Sequence, residues 1–315
     1  EQYKIAQNEV ERLERKALQS KNIDYLSKNK YIKDLVLLNS EKKDEYKKIV
    51  NSAKKYIIDG DIFQCVLSQR LEVKVSVSAF EIYRALRIIN PSPYMFYMNF
   101  NDFALLGSSP ETMVRLRDNQ VYLKPIAGTR PVVASEQATE LYAKELMSDE
   151  KELAEHLMLL DLGRNDVGKI SKAGTVKVEK QMYVERFAHV QHIVSDVVGE
   201  LANENTTVSV FKATFPAGTV SGAPKIRAIE IINELEPIKR NFYAGAAGYI
   251  TFSNEMDLAI TIRSMVVKNN IAYLQAGASI VFDSIDENEY KECSNKARSL
   301  LESIYLAETG IERCK

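Results

Sequence analysis

Tyr94-Met-Phe-Tyr-Met-Asn-Phe-Asn-Asp-Phe-Ala-Leu-Leu-Gly-Ser-Ser-Pro-Glu-Thr-Met-Val-Arg-Leu-Arg-Asp-Asn-Gln-Val-Tyr-Leu-Lys124 decides the fold class of this chain. Short apolar runs are punctuated by Asn101-Asp102 and Asp118-Asn119, residue types that favour tight turns, so the segment reads as a succession of hairpins. To either side, Phe63 to Val77 alternates and is rich in Val and Leu, residues 183–201 alternate as a strand, and 243–283 hold three more strands. Helical spacing marks Tyr46 to Ile58 (Ile49, Ala53, Ile57), stopped by Gly60, and Phe80 to Ile89, ended by Asn90-Pro91. It also marks 139–162, with Leu153, Leu157 and Leu160 on one stripe, then 224–235 and a closing helix over 287–306. Strand clusters outnumber βαβ alternations. The expectation is an α+β fold whose large antiparallel sheets pack as a sandwich with helices outside. Residues 1–40 are polar, with thin apolar spacing (Ile5, Val10, Leu13) followed by Leu35 to Leu38, and read as a helix and connector.

Hydrophobic residues make up 45% of the 315, enough for a sizeable core, and the 27% that are charged nearly balance, giving net −1. That balance gives no support for a nucleic-acid or acidic-membrane partner. A pocket for an anion must therefore be built locally, from backbone N–H groups, single Arg or Lys residues, or a metal. Cys65, Cys293 and Cys314 form no C-x-x-C pair and read as reduced thiols of an intracellular, cytoplasmic protein. No apolar run reaches membrane-spanning length and no signal peptide opens the chain. The first residue is Glu1 rather than Met, so the expected beginning of the protein lies upstream.

Two glutamate pairs carry the chemistry. Glu152 and Glu155 lie in Asp149-Glu-Lys-Glu-Leu-Ala-Glu-His156, and Glu289 and Glu292 lie in Asp286-Glu-Asn-Glu-Tyr-Lys-Glu292. At i, i+3 spacing on a helix both carboxylates of a pair project from one face. Each pair also starts three residues after an Asp, as in a capping box, so Glu152 and Glu289 read equally as helix caps. Capping does not account for a second glutamate one turn on in both segments. Four carboxylates in one pocket would repel unless a cation sat between them, and hard oxygen donors suit Mg²⁺; solvated helix faces are the alternative.

Pro216-Ala-Gly-Thr-Val-Ser-Gly-Ala-Pro-Lys225 runs into a helix, with Pro224 expected at its first position. Glycines, hydroxyls and free N–H groups there can cradle an anion, or form an ordinary Gly-rich turn. His189 and His192 face opposite sides of one strand and should not chelate one metal. His156 points away from the Glu155 face and reads as structural. Arg263, in Ala259-Ile-Thr-Ile-Arg-Ser264, is a charge inside an apolar strand and calls for a paired anion.

Pro125-Ile-Ala-Gly-Thr-Arg-Pro131, Ala154-Glu-His-Leu-Met-Leu-Leu-Asp-Leu-Gly-Arg-Asn-Asp166, His189-Val-Gln-His-Ile-Val-Ser195, Pro216 to Lys225, Tyr243-Ala-Gly-Ala-Ala-Gly-Tyr249 and Leu274-Gln-Ala-Gly-Ala278 together resemble the chorismate-utilising enzymes, most closely the large subunits of anthranilate synthases. The likeness runs colinearly from about residue 44 to 304. It implies a catalytic domain over 41–315, with 1–40 the tail of an amino-terminal region. It further implies that Glu155 and Glu292 hold Mg²⁺, which binds the ring carboxylate of chorismate. Gly128, Thr129, Thr219, Tyr243, Arg263, the turn Gly277-Ala278-Ser279 and Lys296 would line the substrate pocket. Glu152 and His192 match acid–base positions. Pro93, Tyr94 and Met95, in Asn90-Pro-Ser-Pro-Tyr-Met95, resemble one side of a tryptophan-binding pocket. Two departures stand out: Ser279 replaces the family's usual glycine, and Val132-Val133 replaces Arg-Gly.

Related salicylate, isochorismate and aminodeoxychorismate synthases carry a lysine near position 127. Ala127 can neither activate water nor act as a nucleophile, and leaves room for ammonia. The resemblance therefore implies an anthranilate synthase large subunit that takes ammonia from a glutamine amidotransferase subunit or from solution. A non-catalytic chorismate-binding relative is the reading from another class.

Overall fold

The computed structural model describes residues 2–19, 35, 37–40, 43–187 and 190–310. Its elements in chain order are α1 Gln2–Gln19, β1 Leu37–Ser40, α2 Lys43–Ile58, β2 Gln64–Lys74, α3 Ala79–Ile89, β3 Tyr94–Asn99, β4 Ala104–Ser109, β5 Thr112–Arg117, β6 Gln120–Leu123, β7 Ile126–Pro131, α4 Glu136–Ser148, α5 Glu150–Gly168, β8 Lys177–Arg186, β9 Val190–Glu200, α6 Thr207–Thr214, β10 Gly222–Ala223, α7 Lys225–Leu235, β11 Ala246–Ile250, β12 Met256–Ile260, β13 Ser264–Lys268, β14 Ile271–Ile280 and α8 Asp286–Thr309. The strands form two seven-stranded sheets, ordered β1-β2-β14-β13-β4-β3 (β10 on β2) and β11-β12-β5-β6-β9-β7 (β8 on β9). Every pairing between these strands is antiparallel.

The Tyr94–Lys124 stretch is two hairpins, with Asn101, Asp118 and Asn119 at positive φ in the turns (65°, 49° and 62°). They join different sheets: β3-β4 belongs to the first and β5-β6 to the second. Pro110 and Glu111 carry the chain across. The class is α+β, and four finer expectations are corrected. The helix expected over 139–162 is two, because the Asp149 carboxylate takes the N–H groups of Lys151 and Glu152 and starts a new helix. On α5 the buried face is His156, Leu159, Leu160, Gly163 and Val167, and Leu157 is exposed. The strand expected over 183–201 is the end of β8 and all of β9, which pair antiparallel, and 243–283 hold four strands rather than three. α6, capped by a reciprocal Thr206–Ser209 box, carried no expectation.

Helices cover the outer face of each sheet. On the first, α3 and α8 bury Ile82, Leu86, Leu300 and Ile304 against Val73, Leu106, Met265 and Leu274. α2, α7 and α8 bury Tyr46, Val50, Ile231 and Cys293 against Cys65, Leu67, Ala278 and Ile280. On the second, α5 and α6 cover Val114, Leu116, Val121 and Val197. Each such side chain, removed from water, contributes about 1.5–3 kcal/mol. Period-two alternation then turns Gln64 and Val66 of β2, and Gln275, Gly277 and Ser279 of β14, away from the helices and into a cavity. The described side chains of α1 are all exposed, and Leu35 packs against the α3–α8 layer.

Candidate active site

The cavity has a volume of about 580 Å³ and is walled by β2 and β14 of the first sheet, β7 and β9 of the second, the first turns of α5 and α8, and the 3-10 turn Gly218–Val220. Glu152, Glu155, Glu289 and Glu292 all line it. Both pairs thus face one cavity, though only one is capped as expected. Asp149 caps α5, whereas α8 begins after Ile285 with no side-chain cap.

The four carboxylates differ in surroundings. Glu155 accepts from Gln64 Nε2 at 2.9 Å and from Ser279 Oγ at 3.2 Å. Burial first, then repulsion from Glu152 and Glu292, hold its carboxyl above the usual carboxylate range despite the Ser279 bond. Burial, with Glu292 adding to it, raises Glu289 likewise. Glu152 takes a 3.3 Å bond from Arg130 Nη1, while Nη2 of the same guanidinium binds Asp149 and Nε binds Glu145. Glu292 pairs with Lys296 Nζ at 2.7 Å. Among the described residues no three His, Cys, Asp or Glu side chains close into a metal-ligand set. The acidic wall fits a cation of the Mg²⁺ type, held by one or two carboxylates and keeping its waters. The repulsion that Glu292 exerts on both Glu155 and Glu289 is what such a cation would relieve.

His192 faces them from β9. Its Nδ1 lies 2.6 Å from the carbonyl oxygen of Gly128 and 3.2 Å from Thr129 Oγ1. A carbonyl only accepts, so the proton sits on Nδ1 and Nε2 keeps its lone pair. Burial lowers the pKa of His192 from its ordinary value, the Gly128 bond opposing. Gly128 has φ +64°, and a Cβ there would lie 2.8 Å from Leu146 Cδ1 and 3.1 Å from Glu152 Oε2. Only glycine lets this backbone pass between His192 and Glu152.

Arg263 is not within a strand. It links β12 to β13 with φ 50°, lines the cavity, and donates to the carbonyl oxygen of Lys296 at 2.7 Å. Among the described residues no carboxylate lies within 4.0 Å of it, and burial lowers its pKa. Thr219 lines the same space with a buried hydroxyl that makes no hydrogen bond of normal geometry among the described residues, though it lies near enough to the Glu111 carboxyl to oppose the rise of its pKa. Tyr243 lies under the guanidinium of Arg240, 5.6 Å from ring centre to Cζ, and packs so closely on Gly277 that a Cβ would sit 2.8 Å from its Oη. Lys296 Nζ also donates to the carbonyl oxygen of Gly277 at 2.9 Å.

Gly128, Thr129, Thr219, Tyr243, Arg263, Gly277, Ser279 and Lys296 thus line one cavity with Ala127. Ala278 does not: residues 277–279 continue β14 rather than turning, so its side chain enters the core beside Tyr46. Pro93, Tyr94 and Met95 lie outside the cavity, and the Tyr94 hydroxyl bonds Asp257 and Thr112, each at 2.8 Å. The expected anion cradle is half formed. Thr219 faces the cavity, but Lys225 is buried against Asp166, and Pro224 precedes α7 rather than opening it. Val133, at the second departure, closes its loop through backbone bonds with Thr139 Oγ1 at 3.1 and 3.2 Å. His156 is a core residue bonded to Ser195 Oγ at 2.6 Å, as expected. His189 and Cys314 lie outside the described residues.

Two cavity residues escaped sequence reasoning. Gln64 begins β2, and Glu111 sits at the sheet crossing, where burial pushes its carboxyl up to about 7, with Thr219 and Lys296 opposing. The alternation of β2 could have aimed Gln64 inward. No local signal marks Glu111.

Known proteins resemble the chain over this whole region. The chorismate binding enzyme family model matches residues 1–302. Anthranilate synthase component 1 of Acetivibrio thermocellus is 52% identical over 279 residues, 89% of this chain and 56% of that protein. The chain thus spans about half the length of the curated relatives it matches. The crystal structure of anthranilate synthase component I from Streptococcus pneumoniae superimposes with a TM-score of 0.85 at 44% identity, covering 96% of this chain and 66% of that one. The menaquinone-specific isochorismate synthase of Escherichia coli gives 0.80 at 28%, covering 90% and 65%. The cavity lined by Glu152, Glu155, Glu289 and Glu292 together with Arg263 and Lys296 lies within the matched region, and this chain belongs to the chorismate binding enzyme family.

Proposed function

We propose that the chain is the chorismate-converting portion of an anthranilate synthase, turning chorismate and ammonia into anthranilate, pyruvate and water. The observation that carries this is the charge pattern of one cavity: Arg263 with no carboxylate partner among the described residues, and Lys296 beside the Glu155–Glu292 wall. A dianionic substrate needs a positive group for each carboxylate. Arg263 takes one. Lys296 takes the ring carboxylate, beside a Mg²⁺ ion that Glu155 and Glu292 would hold. When bound, the ion neutralises that carboxylate against the glutamates. The hydroxyl of Thr219 and the backbone at Gly277 fix the ring.

Ammonia adds at C2 as the C4 hydroxyl leaves, and loss of pyruvate with a ring proton then gives the aromatic product. Glu152, held by Arg130, is placed to pass a proton to the departing hydroxyl. His192, with Nε2 unprotonated, is placed to take the ring proton. Ala127 leaves the space that ammonia needs. Residues 41–315 form the catalytic domain of this reading and 1–40 the tail of an amino-terminal region. Ammonia comes from a glutamine amidotransferase subunit or from solution, in the cytoplasm. Pro93, Tyr94 and Met95 belong to one side of a tryptophan feedback site.

Anthranilate fluorescence from chorismate, Mg²⁺ and ammonium tests the reading. Appearance of isochorismate without anthranilate would replace it with a hydroxyl-transferring relative's activity.

A further inference from the structure

Gln64 and Ser279 have no part in the scheme above, yet they meet on the cavity wall where β2 pairs with β14. Gln64 is 2% exposed. Its Nε2 donates to Oε1 of Glu155 at 2.9 Å and also to Ser279 Oγ, and Ser279 Oγ donates to the same Oε1 at 3.2 Å. An ionised carboxylate only accepts, so the amide nitrogen must face Glu155 and the amide oxygen must face elsewhere. That oxygen is buried and has no hydrogen-bond partner among the described residues. Glu155 Oε2 likewise takes no bond from any described residue, while Oε1 takes two. One carboxylate oxygen is anchored and the other is free. Beside the pair stands an acceptor lacking a donor.

We propose that Gln64 and Ser279 are positioning residues of the cation site. They hold Glu155 by Oε1 so that Oε2 is presented to the ion. The proposal rests on the reading in which Glu155 holds Mg²⁺. It also gives the serine at 279 a task. Its hydroxyl is the second anchor of a carboxylate on the opposite wall, and a glycine there would leave Glu155 with Gln64 alone. Partners of this kind typically change metal affinity by 10–100-fold.

The experiment measures binding of Mg²⁺ alone by calorimetry, and of Mn²⁺ by the electron paramagnetic signal of the free ion, both without chorismate. Gln64→Met, similar in volume and lacking both donor and acceptor, should weaken binding by about tenfold or more. Ser279→Ala should weaken it about three- to tenfold. At saturating Mg²⁺ the Gln64→Met variant should bind chorismate as the parent does, which separates a role at the ion from a distorted pocket. Glu155→Gln is the control. If it abolishes binding while Gln64→Met and Ser279→Ala match the parent, the inference is wrong and the metal site stands. If Glu155→Gln also binds like the parent, the metal site itself is wrong. Should Gln64→Met lose its near-ultraviolet dichroism, Ser279→Gly decides alone, and parental affinity in that variant overturns the proposal.

Discussion

Lys296 and Glu292 are joined at 2.7 Å across one turn of α8, and the same ammonium group reaches the carbonyl oxygen of Gly277 on β14 at 2.9 Å. With side chains 38% and 47% exposed, the pair itself adds less than about 1 kcal/mol to stability. Its position matters more, since a substrate carboxylate can draw the lysine away from Glu292. Lys296→Met should change the urea unfolding free energy by less than about 1 kcal/mol. The same variant should raise KM for chorismate about tenfold or more, the loss of one charge-assisted hydrogen bond. An unchanged KM would place the substrate carboxylate elsewhere.

Gly128 is a second place where stability and activity separate. Gly128→Ala meets a left-handed backbone, costing about 1–2 kcal/mol, and its Cβ presses on Leu146 and Glu152. The carbonyl that orients His192 belongs to the same residue. Expected are a stability loss of about 1–3 kcal/mol and a fall in kcat of about tenfold or more at saturating chorismate. A variant that loses stability with kcat intact would free His192 and Glu152 from this backbone.

Two buried groups give opposite pH signatures. Burial holds His156 at about 4 against an ordinary 6.5, so the unfolded chain gains a proton that the fold refuses, and stability falls as pH drops from 6.5 to 4. The difference in unfolding free energy between His156→Phe and the parent should therefore shift in the variant's favour across that window, by on the order of 3 kcal/mol. A constant difference would mean that His156 titrates normally in the fold.

Glu111 behaves in reverse. Its folded value of about 7 lies above the ordinary 4.5, so its protonated form supports the fold below 4.5, and that support is lost as pH rises towards 7. In metal-free buffer Glu111→Gln should match the parent near pH 4.5 and exceed it by about 1–3 kcal/mol at pH 8. Chemical denaturation at the two pH values decides. Equal curves at pH 8 would show the carboxylate to be solvated through the cavity.

What could be read from the sequence was what helix and strand periods fix locally. Glu152 with Glu155, and Glu289 with Glu292, share helix faces because three residues is nearly one turn, and Asn101, Asp118 and Asn119 mark turns because their side chains tolerate positive φ. Long-range placement was not legible. Nothing in Tyr94–Lys124 says that its two hairpins join different sheets, and so nothing marks Glu111 at the crossing. The break at Asp149 showed only in its capping-box pattern, and good helix formers on both sides still read as one helix. The break between β8 and β9 falls in an alternating run with no Gly, Pro or Asn to announce it. Ala278 went wrong for a simpler reason: once 277–279 is strand, alternation sends it to the core while Gly277 and Ser279 face the cavity.

Ala127 carries the choice of reaction. It lies on β7 opposite Ile193, the neighbour of His192 on β9, and its side chain lines the cavity at 8% exposure. A lysine here would fill the space through which ammonia must reach C2. Partly desolvated, it would lose some of its charge and could itself act as base or nucleophile. The glutamate wall, Arg263 and Lys296 would be untouched, so Ala127→Lys should still bind chorismate. Ammonia-dependent anthranilate formation should drop at least tenfold, about 1.4 kcal/mol of barrier. The rate is followed by anthranilate fluorescence against the parent at matched chorismate occupancy, with products separated by chromatography. A new hydroxylated or covalently tethered product would show that the lysine has taken over the nucleophile's role. An unchanged anthranilate rate would mean that position 127 is not on the ammonia path, and the reason for preferring anthranilate over its isomeric alternatives would fall with it.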